Sequence, residues 1–274
     1  MKIFCLSLIL LSLSYLGYSQ IGNEKREEKK GTTTAMPSEF EASEKENDLR
    51  FSIELETGPV WQSRNDAQIP NNENGTRFSL IDLLGNGPYP AARLYLTWNI
   101  NDRHRIRLLA APLSITDSDV LNFPVSFSGK DFNQGEHTEA TYKFNSWRIT
   151  YNYRFYKNQR FTWRIGFTAK IRDANIRLNQ ASTTSQKTDV GFVPLLNLVG
   201  KYNISSKWQL MLDIDALAGG PGRAEDVSLK LCYSLSPNWN LRAGYRTLEG
   251  GADVGQVYAF AWLHYAVLSI EFGF

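Results

Sequence analysis

The chain has three histidines, so imidazole acid–base chemistry could occur in only a few places. A histidine acts as a general base when a neighbouring carboxylate orients it towards a hydroxyl or a water molecule. His264 is the candidate base, and Glu225 and Glu249 are its candidate carboxylate partners, although the sequence identifies no nucleophile. The alternative is that His264 is an interfacial side chain beside Tyr258 and Trp262.

Two glycine-rich segments carry acidic residues whose carboxylates could bind a hard cation. Glu225 and Asp226 end the segment 218–226, and Glu249 and Asp253 flank the glycines at 250 and 251. Ca²⁺ takes several oxygen ligands, so four carboxylates on adjacent loops form a candidate metal site. The spacing does not match the calcium-loop pattern, and the alternative is a pair of solvated loop tips.

Strands must position these residues, because from Arg50 onward apolar residues recur at every second position. The clearest segment is 161–171, where the apolar face carries Phe161, Trp163, Ile165, Phe167, Ala169 and Ile171. A period of two is the strand period. These segments run to about 11–18 residues, whereas strands of globular proteins usually have about 5–6. Their length therefore favours a barrel that crosses a membrane.

We predict ten strands, with eight or twelve as alternatives, at roughly 50–62, 89–100, 103–115, 138–155, 160–178, 189–203, 207–218, 225–236, 238–248 and 257–273. The connections after the even-numbered strands are predicted to be tight, and those after the odd-numbered strands to be longer loops. Short turns at one end and long loops at the other are typical of transmembrane barrels. The predicted fold class is therefore all-β, a closed antiparallel transmembrane β-barrel with both termini at the tight-turn end.

The polar faces of these strands repeatedly carry full charges, which the lumen of a barrel accommodates. Buried charges are tolerated when they are paired, so we predict an interior of mutually neutralising ion pairs. A narrow anion-favouring pore is the alternative, because the predicted bases outnumber the acids. The predicted lumen charges are Arg93, Arg105, Arg107, Arg148, Arg154, Arg164, Lys170, Arg172, Asp213, Asp215, Asp226, Lys230, Arg242, Arg246 and Glu271.

The first 49 residues differ from the rest in composition. Residues 1–19 have a basic start, an apolar stretch and a small-x-small site, the pattern of a secretory signal peptide. Residues 20–49 are densely charged and are predicted to be a disordered tail. Residues 50–274 are the predicted barrel domain. The near-neutral charge and the single cysteine that remains after cleavage, Cys232, give no reason to expect nucleic-acid binding, a disulfide or a zinc cofactor.

The chain resembles bacterial outer-membrane β-barrel proteins in its signal pattern, alternating strands and turn lengths. Its last residues, 267–274, also resemble the terminal strand, ending in an aromatic residue such as Phe274, that the barrel-assembly machinery recognises. The resemblance covers residues 50–274. It implies a monomer in the outer membrane of a Gram-negative bacterium, in contact with lipids and lipopolysaccharide, with residues 20–49 in the periplasm.

Three functions fit such a barrel. The first is a structural role, or the narrow passage of small solutes through a charged lumen. The second is a lipid-modifying enzyme that acts on acyl groups of lipid A or phospholipid through His264, Glu249 and Glu225. The third is surface ligand binding or adhesion through the loops 62–88 and 116–137. The outer-membrane protease family uses rim Asp and His residues in a ten-strand barrel, but no Asp–His pair here matches its pattern.

Overall fold

The computed structural model describes residues 49–220 and 222–274. The predicted signal peptide lies outside the described residues, and so does all but the last residue of the predicted tail. Within these ranges, one short helix accompanies a structure otherwise built of strands. No helix in the described ranges is long and apolar enough to cross a membrane.

The strands follow one another along the chain with few interruptions. The elements are β1 (Phe51–Gln68), β2 (Phe78–Ser79), α1 (Ile81–Leu84), β3 (Tyr89–Asn99), β4 (His104–Ala111), β5 (Ser114–Val120), β6 (Val125–Phe127), β7 (Lys130–Phe132), β8 (His137–Lys157), β9 (Phe161–Gln180), β10 (Thr183–Asn203), β11 (Trp208–Gly219), β12 (Gly222–Ser234), β13 (Trp239–Val254) and β14 (Val257–Gly273).

The long strands form one closed antiparallel sheet. Each pairs with its neighbours along the chain, and β14 returns to pair with β1 from Ser52↔Gly273 to Gln68↔Tyr258. β4 and β5 together form one interrupted strand of the wall. Both pair with β8, on either side of Pro112, which has no N–H to donate. Counted in this way, the wall has ten strands, and the prediction of a closed ten-strand barrel is confirmed.

Alternation along each strand separates an apolar outer wall from a polar interior. In β9, Ile165 and Phe167 are 52% and 68% exposed, whereas Arg164 and Thr168 are buried. Exposed apolar side chains recur around the circumference, among them Leu55, Leu96, Ile149, Leu196, Leu229 and Leu268. So continuous an apolar belt is rare on a soluble monomer and matches the lipid-facing band of a transmembrane barrel.

Aromatic rings border the belt at the end that carries Phe51 and Phe274. Phe51 lies between Trp98 and Phe274, with ring centroids 6.3 and 5.9 Å apart. Trp239 packs on Phe272 with centroids 4.7 Å apart. The indoles of Trp98 and Trp239 carry an N–H group, and such amphipathic rings form the interfacial girdle that a membrane surface favours.

The opposite end, the crown, comprises β2, α1, β5, β6, β7 and the strand ends beyond the belt. The predicted tight turns, at 100–103, 158–160, 204–207 and 235–238, lie at the end that carries Phe51 and Phe274. The longer loops predicted after β9, β11 and β13 are wrong, because these strands pair up to short turns, as at Thr183↔Gln180. Beyond the belt neither face requires apolar side chains, so a polar, glycine-rich composition no longer distinguishes a strand from a loop.

The two long connections of the crown fold into the mouth of the barrel. β2 and α1 lie in residues 69–88, and β6 and β7 lie in residues 121–136. Their buried side chains pack into one apolar cluster with inward-facing wall residues, here called the cap. Its members include Phe78, Leu80, Leu83, Leu84, Phe127, Phe132, Leu178, Leu248 and Leu263. Much of the chain predicted as ligand-contacting loops thus buries apolar surface inside the barrel mouth.

Candidate functional site

A cluster of buried charges occupies the interior below the cap. At its centre Asp226 of β12 forms ion pairs with Arg93 of β3, Arg148 of β8 and Arg246 of β13. Asp226 Oδ2 lies 3.0 Å from Arg93 Nη2 and 2.7 Å from Arg148 Nη2. Side chains from four wall strands therefore meet at one carboxylate and link opposite sides of the barrel.

Two glutamates of β1, which are not among the predicted lumen charges, also belong to this cluster. Lys230 Nζ lies 3.1 Å from Glu54 Oε1 and also contacts Glu56. Arg246 Nε lies 3.1 Å from Glu56 Oε1, and Arg242 binds Glu54. The sequence pattern could have identified them as lumen residues, because both glutamates alternate with exposed residues along β1.

Two aspartates of β11 hold the opposite side of the cluster. Arg107 Nη1 lies 2.5 Å from Asp213 Oδ2, and Arg148 Nη1 lies 2.8 Å from Asp215 Oδ2. The Asn197 amide donates hydrogen bonds to both aspartates, at 3.2 and 2.8 Å. These contacts satisfy carboxylates that burial would otherwise destabilise.

Three of the predicted lumen charges lie nearer the tight turns. Arg105 Nε donates to Asn99 Oδ1 at 2.9 Å. Arg154 Nη2 lies 3.5 Å from an oxygen of the exposed Asp102, and Arg164 donates to the Asp102 backbone carbonyl at 3.2 Å. This group lies inside the tight-turn end of the barrel and is separate from the Asp226 cluster.

The other predicted charges complete the interior. Lys170 is buried with its ammonium 4.8 Å from the centroid of the Phe144 ring. Glu271 binds an arginine of β13, while Arg172 pairs with Asp189 at the partly exposed crown. With the β1 glutamates included, the described residues bury five acids and seven bases. The excess of buried bases that suggested an anion-favouring pore is therefore halved, from four to two.

The Tyr95 hydroxyl joins two arginines of the cluster and can be removed with little change of shape. It accepts hydrogen bonds from Arg93 Nε and Arg246 Nη2, both at 2.9 Å. We expect Tyr95→Phe to lower the free energy of unfolding by about 1.5 kcal/mol, because two buried charged donors lose an acceptor. Urea unfolding from lipid vesicles measures this change, with Tyr156→Phe near the exposed end of β8 as the control. Equal stability of the two variants would contradict the expectation.

The four carboxylates considered for a metal do not assemble, because strand alternation separates them. Asp226 faces the lumen, whereas Glu225 and Glu249 face outward and Asp253 is exposed near the end of β13. Glu249 is paired with Arg223 of the neighbouring strand. Within the described ranges, no group of three or more His, Cys, Asp or Glu side chains is placed to hold a metal ion.

His264 contacts residues other than its predicted partners, Glu225 and Glu249. Its ring faces outward from β14, where Nε2 lies 2.7 Å from Ser63 Oγ and Nδ1 lies 2.5 Å from the Tyr245 hydroxyl oxygen. A hydroxyl, an imidazole and an orienting hydrogen-bond partner are thereby aligned on the outer wall. The predicted first strand ends at residue 62, so the sequence pattern placed no serine beside this histidine.

Comparison with known proteins gives relatives in structure alone. No protein-family model matches the chain, and no curated protein matches it. The outer membrane protease OmpT from Escherichia coli is similar at 10% identity and a TM-score of 0.47, over 82% of this chain and 97% of that one. Neisserial surface protein A has 12% identity and a TM-score of 0.36, over 82% and 97%. The attachment invasion locus protein of Yersinia pestis has 8% identity and a TM-score of 0.36, over 82% and 100%.

The protein's own architecture defines its class. A closed antiparallel wall of ten strands, apolar outside and charged inside, is the architecture of the transmembrane β-barrels of bacterial outer membranes. The solved structures above belong to this same class and differ from one another in role. A role for this chain has to come from its own side chains.

Proposed function

We propose that this protein is an integral barrel of a Gram-negative outer membrane with a structural role and a closed lumen. The observation that carries the proposal is the Asp226 cluster, in which charges from four strands meet across the interior. Breaking such a cluster to admit a solute would expose unpaired buried charges, which is costly. A structural role was one part of the sequence prediction, and a closed lumen is incompatible with the other part, the passage of solutes.

The same proposal orients the barrel in its membrane. Short turns lie on the periplasmic side of bacterial outer-membrane barrels, so the crown would face outward and Phe274 the periplasm. An alternating last strand that ends in Phe274 fits recognition by the barrel-assembly machinery. Closure of β14 on β1 leaves no long wall strand unpaired, which favours a monomer surrounded by lipid and lipopolysaccharide.

Electrical recording from planar lipid bilayers tests the closed lumen. We expect the wild-type protein to give no resolved conductance steps, because the ion-pair cluster and the cap both obstruct the interior. The double variant Arg148→Ala/Asp226→Ala removes opposite charges together and shortens two central side chains. We expect it to conduct intermittently at high voltage, which would also show that the preparation inserts. Regular steps from the wild-type barrel would contradict a closed lumen.

A further inference from the structure

We infer that Ser63, His264 and Tyr245 form a serine esterase site on the lipid-facing wall, for acyl esters of phosphate-bearing lipids. This inference is independent of whether the lumen conducts. Ser63 and Tyr245 are exposed and His264 is half-buried, so the set is open to the surroundings of the barrel. Ser63 Oγ lies 2.7 Å from His264 Nε2, within reach for proton transfer.

A β-bulge produces this arrangement. In β1 the register with β14 shifts between Gln62 and Arg64, which leaves Ser63 as the extra residue. Gln62 is buried, Ser63 is exposed and Arg64 is half-buried, so two consecutive side chains lie on the outer face where regular alternation would allow one. Bulges re-aim side chains in this way and are frequent beside active sites. The bulge thus places a hydroxyl and a cation together.

The histidine is held on both sides. With the proton on Nδ1, donated to the Tyr245 oxygen at 2.5 Å, Nε2 is free to accept the Ser63 hydroxyl hydrogen. The His264 ring also packs against Trp262, with centroids 5.3 Å apart, and Trp262 Nε1 donates to Thr247 Oγ1 at 2.7 Å. Tyr245 is therefore a positioning residue, and it takes the place that a carboxylate holds in the familiar triad.

The reaction needs no partner besides the lipid and water. Ser63 Oγ bonds to the ester carbonyl carbon while His264 Nε2 takes the hydroxyl proton. The carbon–oxygen bond to the lipid alcohol then breaks, the alcohol takes the proton from His264, and the acyl group stays on Ser63. Water attacks the acyl carbon, His264 takes a proton from it, and this proton returns to Ser63 as the fatty acid leaves.

The depth of the site indicates the substrate. His264 is ten residues from the C-terminus, about 25 Å above the tight-turn end for a strand tilted by about 40°. Below it on β14 lie exposed apolar residues, including Leu268 and Ile270. Ester linkages of acyl lipids lie at this boundary between the acyl chains and the headgroups.

Three arginines surround two aromatic rings just beyond the site. Arg64 and Arg223 each lie 5.1 Å from the centroid of the Phe260 ring, and Arg77 lies 3.6 Å from that of Tyr258. Acids neutralise Arg64 and Arg223, whereas Arg77 donates to the neutral amide of Gln68. Glu225 is a further carboxylate beside Arg223, so Arg77 is the arginine of this patch that is best placed to bind a lipid phosphate.

Labelling with a fluorophosphonate probe tests the nucleophile. In folded wild-type protein in detergent micelles, we expect the probe on the peptide that contains Ser63. We expect at least a tenfold loss of labelling in His264→Asn and no labelling of that peptide in Ser63→Ala. The matched control is His104→Asn, because His104 Nδ1 also lies 2.7 Å from a tyrosine hydroxyl on the outer wall, that of Tyr151. It should leave labelling unchanged.

Mass spectrometry of mixed micelles identifies the lipid, with phosphatidylglycerol in one arm and purified lipid A in the other. Fatty acid release from phosphatidylglycerol would assign phospholipid as the substrate, and release from lipid A would assign lipid A. We expect a loss of about 10³-fold in Ser63→Ala and roughly tenfold in Tyr245→Phe. Arg77→Gln should raise KM for the phosphate-bearing lipid by a larger factor than it raises KM for a neutral p-nitrophenyl ester. A folded wild type that takes no probe at Ser63 and releases fatty acid in neither arm would overturn the inference.

Discussion

Replacing Asp226 with alanine should lower the free energy of unfolding by about 3–5 kcal/mol, which is the largest single effect we expect. The carboxylate neutralises parts of three guanidinium groups, those of Arg93, Arg148 and Arg246, all of which are buried. Without it, these like charges repel one another in an interior that water cannot reach. Urea unfolding from lipid vesicles, followed by the mobility of the unheated protein in gels, measures the change.

Two further variants isolate the cause of that loss. Asp226→Asn keeps the shape of the side chain and removes its charge. It should therefore lower the free energy of unfolding nearly as much as Asp226→Ala does. Asp253→Ala removes an exposed carboxylate whose side chain contacts Asn71 at the crown, and it should change stability by less than 0.5 kcal/mol. A loss at Asp226 no larger than the loss at Asp253 would mean that the interior is hydrated and the cluster is not a structural centre.

Replacing Phe167 with arginine should cost about 2–4 kcal/mol of stability in a bilayer. Phe167 is 68% exposed and lies six residues from the start of β9, near the middle of the apolar belt. A guanidinium there must be brought out of water into hydrocarbon, whereas the phenyl ring it replaces is well solvated by lipid. The same urea titration in vesicles measures the cost.

Val190→Arg supplies the depth control for that prediction. Val190 is 71% exposed on the same outer wall, but it pairs with Asp173 at the upper edge of the belt. Near the interface an arginine should cost at most about 1 kcal/mol. If both variants lost the same stability, the exposed apolar wall would not be a lipid-facing belt.

The architecture was predictable because it depends on a local pattern. A strand that separates lipid from a polar lumen alternates along its whole membrane-crossing length, so ten segments stood out in the sequence. The tight turns were equally clear, since they interrupt the alternation briefly. Glu54 and Glu56 were within reach of the same reasoning, because they lie on the polar face of the first strand.

The crown was less predictable, and physics explains the difference. Beyond the belt both faces of a hairpin can be polar, so β9 and β10 continue through residues that look like a loop. The connections 69–88 and 121–136 contain apolar residues whose partners are distant in the chain. Composition could not indicate that they fold inward as a cap.

By itself, the sequence determined the class of the barrel and the outward belt, because a strand period of two assigns each residue to a face. Only the tertiary structure decided which charges meet at Asp226, since those contacts join strands far apart in the chain. It also decided that Ser63 meets His264. That contact depends on closure of β1 on β14 and on a one-residue bulge, and a bulge shifts register without any change in the alternating pattern that a sequence displays.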